Sequence, residues 1–279
     1  MSHYKIQMLD VGYVETFPAD FAFDGAWLNG QFIYSPFGVT LLRGEGMNIL
    51  IDCGINLQTP ERQAGYQAAF GKNGHGLDEV LATVGLTPGD IDAVILTHCH
   101  WDHLSGIVYL PDAKVYVQKE EVSGWRDIAA NAAYAPVFSM QMNFADMEHI
   151  SRLEKNDQIV YLDGEIDNLF PGIHIRVSNF GHSFAHQLIL VDTDDKRFVV
   201  AGDVCNRPEN LLGTADRPGF MPNVKFAVGS VLNSLHDYGR ILDWVGGDVK
   251  RVLSTHNGRR DDDYPFIKSE LGLNIFEIN

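Results

Sequence analysis

The stretch Ile91-Asp92-Ala93-Val94-Ile95-Leu96-Thr97-His98-Cys99-His100-Trp101-Asp102-His103 decides how the rest of the chain is read. Its first six residues form a short apolar run rich in β-branched side chains. That is the pattern of a buried strand, and the polar cluster begins where the strand runs out. On extended backbone His98 and His100, two apart, point to one face, and Cys99 between them points to the other. From Trp101 to Gly106 the pattern opens a helix, which swings Asp102 and His103 back toward the same point. Three imidazoles and a carboxylate converging there make a ligand set for a borderline metal such as zinc.

Such a site calls for further ligands at the ends of other strands, and the downstream sequence supplies them. Gly181-His182-Ser183 follows the apolar run 175–179, Gly202-Asp203 closes a predicted strand at 197–201, and Ser254-Thr255-His256 closes another at 249–253. Together with the first cluster these residues give five histidines and two carboxylates. That number suits two metals sharing one bridging carboxylate.

The remaining pattern is that of an α/β chain. A first strand is expected at 4–11, followed by an irregular segment at 12–36 that holds Phe17, Phe21, Phe23, Trp27, Phe32 and Tyr34. These aromatics form either a small apolar cluster under a loop, or the wall of an apolar pocket or subunit contact. Gly44-Glu45-Gly46 between two apolar runs signals a hairpin. Residues 60–84 read as helix interrupted by a loop at 71–76, where His75 is expected to be solvated. Strands are expected at 113–118, 158–162, 173–177, 187–191 and 197–201, and a last one at 249–253. A helix is expected at 228–245, with Leu232, Leu235, Ile241, Leu242 and Trp244 as its apolar face. Met140, Met142 and Met147, with Phe138 and Phe144, mark an apolar insertion at about 124–155, read as core or dimer contact ahead of a substrate lid.

Composition bounds the function. The 279 residues are 45% hydrophobic and 21% charged, which is ordinary globular composition, and no linker-like stretch divides them, so a single domain over residues 1–279 is expected. The net charge of -16 argues against a nucleic-acid or anionic-lipid surface and leaves a small molecule as the expected partner, with a homodimer as a further option. No apolar run approaches the roughly 20 residues of a membrane span. The start of the chain lacks the pattern of a secretory signal, and Cys53, Cys99 and Cys205 are odd in number and far apart. A reducing cytoplasm and structural roles for all three thiols are therefore expected.

The set Thr97-His98-x-His100-x-Asp102-His103, Gly181-His182-Ser183-x-x-His186, Ala201-Gly202-Asp203 and Ser254-Thr255-His256 resembles the metallo-β-lactamase superfamily over nearly the whole chain. The resemblance implies an αββα sandwich, two mixed sheets flanked by helices, with the metal site at one edge. It implies that His98, His100 and His182 hold one metal and that Asp102, His103 and His256 hold the other, with Asp203 bridging. It also implies that His186 supports the site by donating a hydrogen bond. Having both Asp102 and His103, the chain looks like glyoxalase II and the lactonases, and most like the N-acyl-homoserine-lactone lactonase and 4-pyridoxolactonase branch. Those lactonases carry a Tyr three residues after the bridging Asp, where this chain has Asn206.

The function expected from this is a dinuclear metal-dependent hydrolase, a lactonase. A metal-bridging hydroxide would open a cyclic ester on a small apolar or aromatic substrate. Asp102 would relay the proton and Asn206 would be a further donor to the carbonyl. Zinc is the expected metal, and manganese, iron or cobalt also suit these ligands. Three other chemistries share the ligand set. One is a thioesterase of glyoxalase II type, for which Arg259-Arg260 is the basic patch available to glutathione. The others are hydrolysis of another electrophilic carbon, such as an amide or isothiocyanate, and iron-dependent oxidation. A purely structural metal is disfavoured, because structural zinc sites are closed and usually rich in thiolates.

Overall fold

In a computed structural model, residues 4–23, 30–221 and 228–279 are described, apart from the side chains of Phe21 and Asn179; Trp27 lies outside the described residues. The first half of the chain contributes β1 (Lys5–Pro18), β2 (Phe32–Gly44), β3 (Met47–Ile51), β4 (Ala93–Ile95), β5 (Lys114–Gln118) and β6 (Ile159–Leu162). The second half contributes β7 (Ile166–Phe170), β8 (Ile173–Asn179), β9 (Ala185–Asp192), β10 (Arg197–Gly202), the short pair β11 (Gly213–Thr214) and β12 (Arg217–Pro218), and then β13 (Val252–Ser254), β14 (Phe266–Lys268) and β15 (Asn274–Glu277). One sheet has eight strands in the order β14-β15-β1-β2-β3-β4-β5-β6, and the other has five in the order β13-β10-β9-β8-β7. Both are mixed: β3 to β6 pair in parallel, as does β13 with β10, while the other ladders of the two sheets are antiparallel.

Alternation along the strands builds the layers. Ile49 and Ile51 of β3 and Ile189 and Val191 of β9 meet between the sheets, in one core with Ile95, Ile175 and Val200. The intervening Leu50 faces the outer helices α2 (Pro60–Phe70), α3 (Leu77–Ala82), α5 (Lys119–Ala130) and α6 (Asp146–Lys155), through Tyr66, Leu81, Trp125 and Ile150. Leu188 and Leu190 face the other way, onto Tyr238 and Ile241 of α8 (Val231–Trp244). The result is the αββα sandwich that the motifs imply. No helix among the described residues is long and apolar enough to cross a membrane.

Several expectations are corrected. Residues 12–18 and 32–36 are not irregular, because they extend β1 and β2 as an antiparallel arm in which Tyr13 pairs with Pro36 and Phe17 with Ile33. Bulges between Asp10 and Gly12 and between Val14 and Phe17 break the alternation that would have marked the arm as strand. The strand ending at Ser254 is not the last: β15 pairs with β1, and β14 pairs with β15 to form the sheet's edge. α6 and β7 also went unpredicted. On α8, Leu232 is 63% exposed, and the buried positions are Ser234, Asp237, Tyr238 and Ile241. Met142 and Met147 of the insertion join the core, whereas Met140 is exposed and lines a cavity. The hairpin is as expected, with Glu45 and Gly46 both at positive φ between Gly44 and Met47.

Candidate metal centre

The candidate residues come together at one edge of the sandwich, in turns that follow strands. His98 and His100 lie in the turn after β4, and Asp102 and His103 lie in the one-turn helix α4 (Trp101–Leu104). His182 lies between β8 and β9, Asp203 follows β10 and His256 follows β13. They form two adjoining groups, His98, His100, His182 and Asp203, and Asp102, His103 and His256, all buried. Within each group the potential ligand atoms lie within 4.8 Å of one another. Asp203 adjoins the second group as well, its Oδ1 standing 3.3 Å from His103 Nε2 and its Oδ2 3.2 Å from His256 Nε2. Asp102 Oδ2 lies 3.3 Å from His256 Nε2.

Supporting hydrogen bonds fix these rings. Asp52, held at φ 63°, accepts the Thr97 N–H at 2.7 Å and the Thr97 hydroxyl, and its Oδ2 lies 2.7 Å from His103 Nδ1. The Thr97 hydroxyl lies 3.0 Å from His98 Nδ1. His256 Nδ1 donates to the Pro36 carbonyl at 2.8 Å, which leaves Nε2 facing the carboxylates. The fully buried Glu121 accepts from Cys99 N–H, Trp125 Nε1, Ser183 Oγ and Ala185 N–H, and so ties the turn carrying His98 and His100 to the turn carrying His182. His186 stacks on His98 with ring centroids 4.7 Å apart, and its Nε2 accepts the Asp203 N–H rather than donating. Gly202 is required beside it, since a Cβ there would lie 2.6 Å from His186 Nε2 and φ is +50°.

Asp52 and Glu121 are the residues that reading the sequence missed. Neither sits in a local pattern: Asp52 acts on a ring 51 positions away and Glu121 on a serine 62 away. Asp52→Asn keeps a residue that tolerates the positive φ but weakens the grip on His103. It is expected to lower metal affinity about 10- to 100-fold. Competition with a chelator measures this, and unchanged affinity would contradict the role.

The electrostatics suit divalent cations. Burial, with neighbouring rings, holds His98 and His100 well below the usual histidine range, and burial brings His182 to about 4, so these rings are neutral donors. Burial also pulls on His103 and His256, but nearby carboxylates outweigh it: Asp203, Asp52 and Asp102 raise His103 well above the ordinary value, and Asp203 and Asp102 raise His256 to about 10. The carboxylates that favour a proton there favour a metal ion equally. Burial works against the charge on Asp203, yet His256 and His103 hold it well below the carboxylate range. The strongest sign of fit is that, among the described residues, His98 Nε2 is buried without a hydrogen-bond partner, that His103 Nε2 and Asp203 Oδ1 are buried 3.3 Å apart without a well-directed hydrogen bond, and that His100 Nδ1 faces His182 Nε2 at 3.2 Å. Buried polar atoms are rarely left so. The three cysteines are free and buried, their thiols raised by burial, Cys205 to about 12, so they are not disposed to bind metal as thiolates. His75 is half-buried, 3.2 Å from Glu79.

A cavity of about 330 Å³ opens onto both groups. Its wall is Val14, Phe17, Ile33, Phe37, Phe70 and Trp101, with Met140 at the rim, and His100, Asp102, His182, Asp203, Asn206 and His256 also line it. The aromatics of the first segment divide accordingly. Phe17 lines the cavity, as does Phe37 just beyond that segment, while Phe23 packs in a small cluster with Ala19, Ala22 and Met221, and Phe32 is exposed.

A two-sheet sandwich with adjoining His/Asp groups suited to a dinuclear divalent site is the architecture of a metal-dependent hydrolase. The chain belongs to the metallo-β-lactamase superfamily, which matches residues 39–256. The cleavage and polyadenylation specificity factor subunit 3-I of Arabidopsis thaliana is 22% identical over 242 residues, 82% of this chain, and the chain spans about a third of that relative's length (32%). The N-acyl homoserine lactonase AiiB of Agrobacterium fabrum is 22% identical over 202 residues, covering 70% of this chain and 72% of the relative. Among solved structures, an N-acyl homoserine lactone hydrolase with N-hexanoyl-L-homoserine bound at its metal centre matches with a TM-score of 0.69 at 19% identity. That match covers 94% of this chain and 96% of the other, a likeness of fold.

Proposed function

We propose that this protein opens the ring of a small lactone. In this reading His98, His100, His182 and Asp203 hold one divalent metal and Asp102, His103 and His256 the other, with Asp203 shared. The observation that carries the reading is the cavity, whose apolar and aromatic wall leads to both His/Asp groups, so that a carbonyl on an apolar scaffold is brought to them. The lactonase among the relatives supports the substrate class. The small cavity and the net charge of -16 favour a small molecule over a polyanion. Zinc is the metal proposed, and the His/Asp donors also accept manganese, iron or cobalt.

When bound, a pair of divalent metals supplies a water acidic enough to ionise near neutral pH and Lewis acidity toward a carbonyl oxygen. The chain's own residues do the rest. Asp102 Oδ2 takes the proton of the attacking water and passes it to the leaving ring oxygen. Asn206, whose Oδ1 has no hydrogen-bond partner among the described residues, offers its amide N–H to the carbonyl oxygen from the position where the related lactonases carry Tyr. Phe37, Phe70 and Trp101 pack edge-on or stacked, with centroids 5.4 to 5.6 Å apart, and exclude bulk water from the wall.

The thioesterase alternative draws no support from Arg259-Arg260. Arg260 is buried on Asp10 at 2.6 Å, and Arg259 is engaged by Glu209 and Asp262. A pH-stat assay of metal-loaded protein on a lactone panel, with a thioester beside it, tests the reading. Acid release from lactones that stops on chelation is expected. Turnover of the thioester alone would move the protein to the glyoxalase II side, and silence on both would discard the substrate class.

A further inference from the structure

Arg207 is the one Lys or Arg among the described residues lining the cavity, and it is only 5% exposed. It is rigidly placed. It stands in extended conformation before α7 (Pro208–Leu212), its N–H donates to Asn210 Oδ1 at 2.9 Å, and Asn210 is in turn anchored on the carbonyls of Ala22 and Met221. The guanidinium is poorly satisfied by comparison. Nη1 donates to the Tyr34 carbonyl at a long 3.3 Å, and Nε, in an ion pair 3.5 Å from Glu209 Oε2, has no hydrogen-bond partner among the described residues. Glu209 gives its other oxygen to Arg259 Nη1 at 2.8 Å.

A buried cation with five donors is costly to maintain unless an anion completes it. Outside the two His/Asp groups, Arg207 is the one cationic side chain lining the cavity and its Nε donor has no hydrogen-bond partner among the described residues, whereas Asn206 and Gln141 there each leave only an acceptor oxygen unpartnered. We propose that Arg207 recognises a carboxylate on the substrate. Resting on the proposed function, this makes the preferred lactone an apolar or aromatic scaffold carrying a carboxylate group away from the scissile ester. A guanidinium fork matches the planar carboxylate with two parallel hydrogen bonds.

Calorimetry on the metal-loaded protein with isophthalate and 3-carbamoylbenzoate tests this without turnover. Both bring one carboxylate that the metals can take, and they differ only in the second. The wild type is expected to bind isophthalate about tenfold more tightly. Arg207→Gln should abolish the preference and Arg207→Lys, which keeps the charge without the fork, should retain part of it; the lysine variant carries the test if the glutamine variant does not fold. Equal binding of the two ligands by the wild type, or a preference that survives in Arg207→Gln, would overturn the proposal. An Arg207-dependent preference in a protein silent on lactones would refute the lactone reading and leave the anion site standing. Lactone turnover without the preference would do the reverse.

Discussion

His100→Ala and Asp102→Asn are each expected to lower turnover about a thousandfold or more, the scale on which losing one member of a catalytic unit acts. His100 is buried between His182, 3.2 Å away, and the Trp125 ring, with centroids 5.4 Å apart. Truncating it removes a ring nitrogen from the first group and leaves His182 without its neighbour. Asp102→Asn is nearly isosteric, so packing is preserved. It removes the negative charge 3.3 Å from His256 Nε2 and the oxygen that would hold the proton in transit. Steady-state kinetics on reconstituted variants, with metal content and a thermal melt alongside, measure the effect. A folded Asp102→Asn variant retaining a tenth of wild-type activity would contradict the role given to Asp102.

The second large effect is on stability. Glu121→Ala is expected to cost about 3 kcal/mol or more, because it takes the acceptor from four buried donors at once and only Trp125 Nε1 has another, Ser183 Oγ at 3.3 Å, an unpaired donor being worth about 1–3 kcal/mol. Those donors belong to the turn after β4, to α5, and to the turn before β9 with that strand's first residue, so the loss also frees the loops carrying His100 and His182 from each other. Glu121→Gln should cost less. Oε1 can keep its three donors, and only the Ala185 N–H would face an opposing NH2 group. Urea denaturation of the metal-free protein reads both values without interference from metal binding. A Glu121→Ala variant within 1 kcal/mol of wild type would show that the carboxylate is not what joins the two turns.

The clustering of the seven candidate residues was legible because each is a His or Asp in the turn or one-turn helix that follows an apolar strand, and strand ends are where an α/β sandwich presents side chains to one edge. His98 and His100 are also two apart, which alone puts them on one face. Asp52 and Glu121 were not legible, since their work is hydrogen bonding across sequence gaps that no local period encodes. The β1–β2 arm was hidden by its bulges, which shift the alternation between Asp10 and Gly12 and again between Val14 and Phe17. The insertion was half legible. Its Met and Phe content announced burial, but only the fold shows that Met142 goes to the core while Met140 stands at the rim of the cavity. His186 was recognised as supporting the site, yet its direction depends on the Asp203 backbone N–H, which composition cannot reveal.

Hydrolysis in the apolar cavity would depend on metal at the two adjoining His/Asp groups. The most direct test is a titration of chelator-stripped protein with zinc, following bound metal per chain by elemental analysis and lactone hydrolysis in the same samples. Activity absent from the stripped protein and rising to a plateau at two bound metals per chain is the predicted result. Full hydrolysis by protein shown to hold no metal would contradict it.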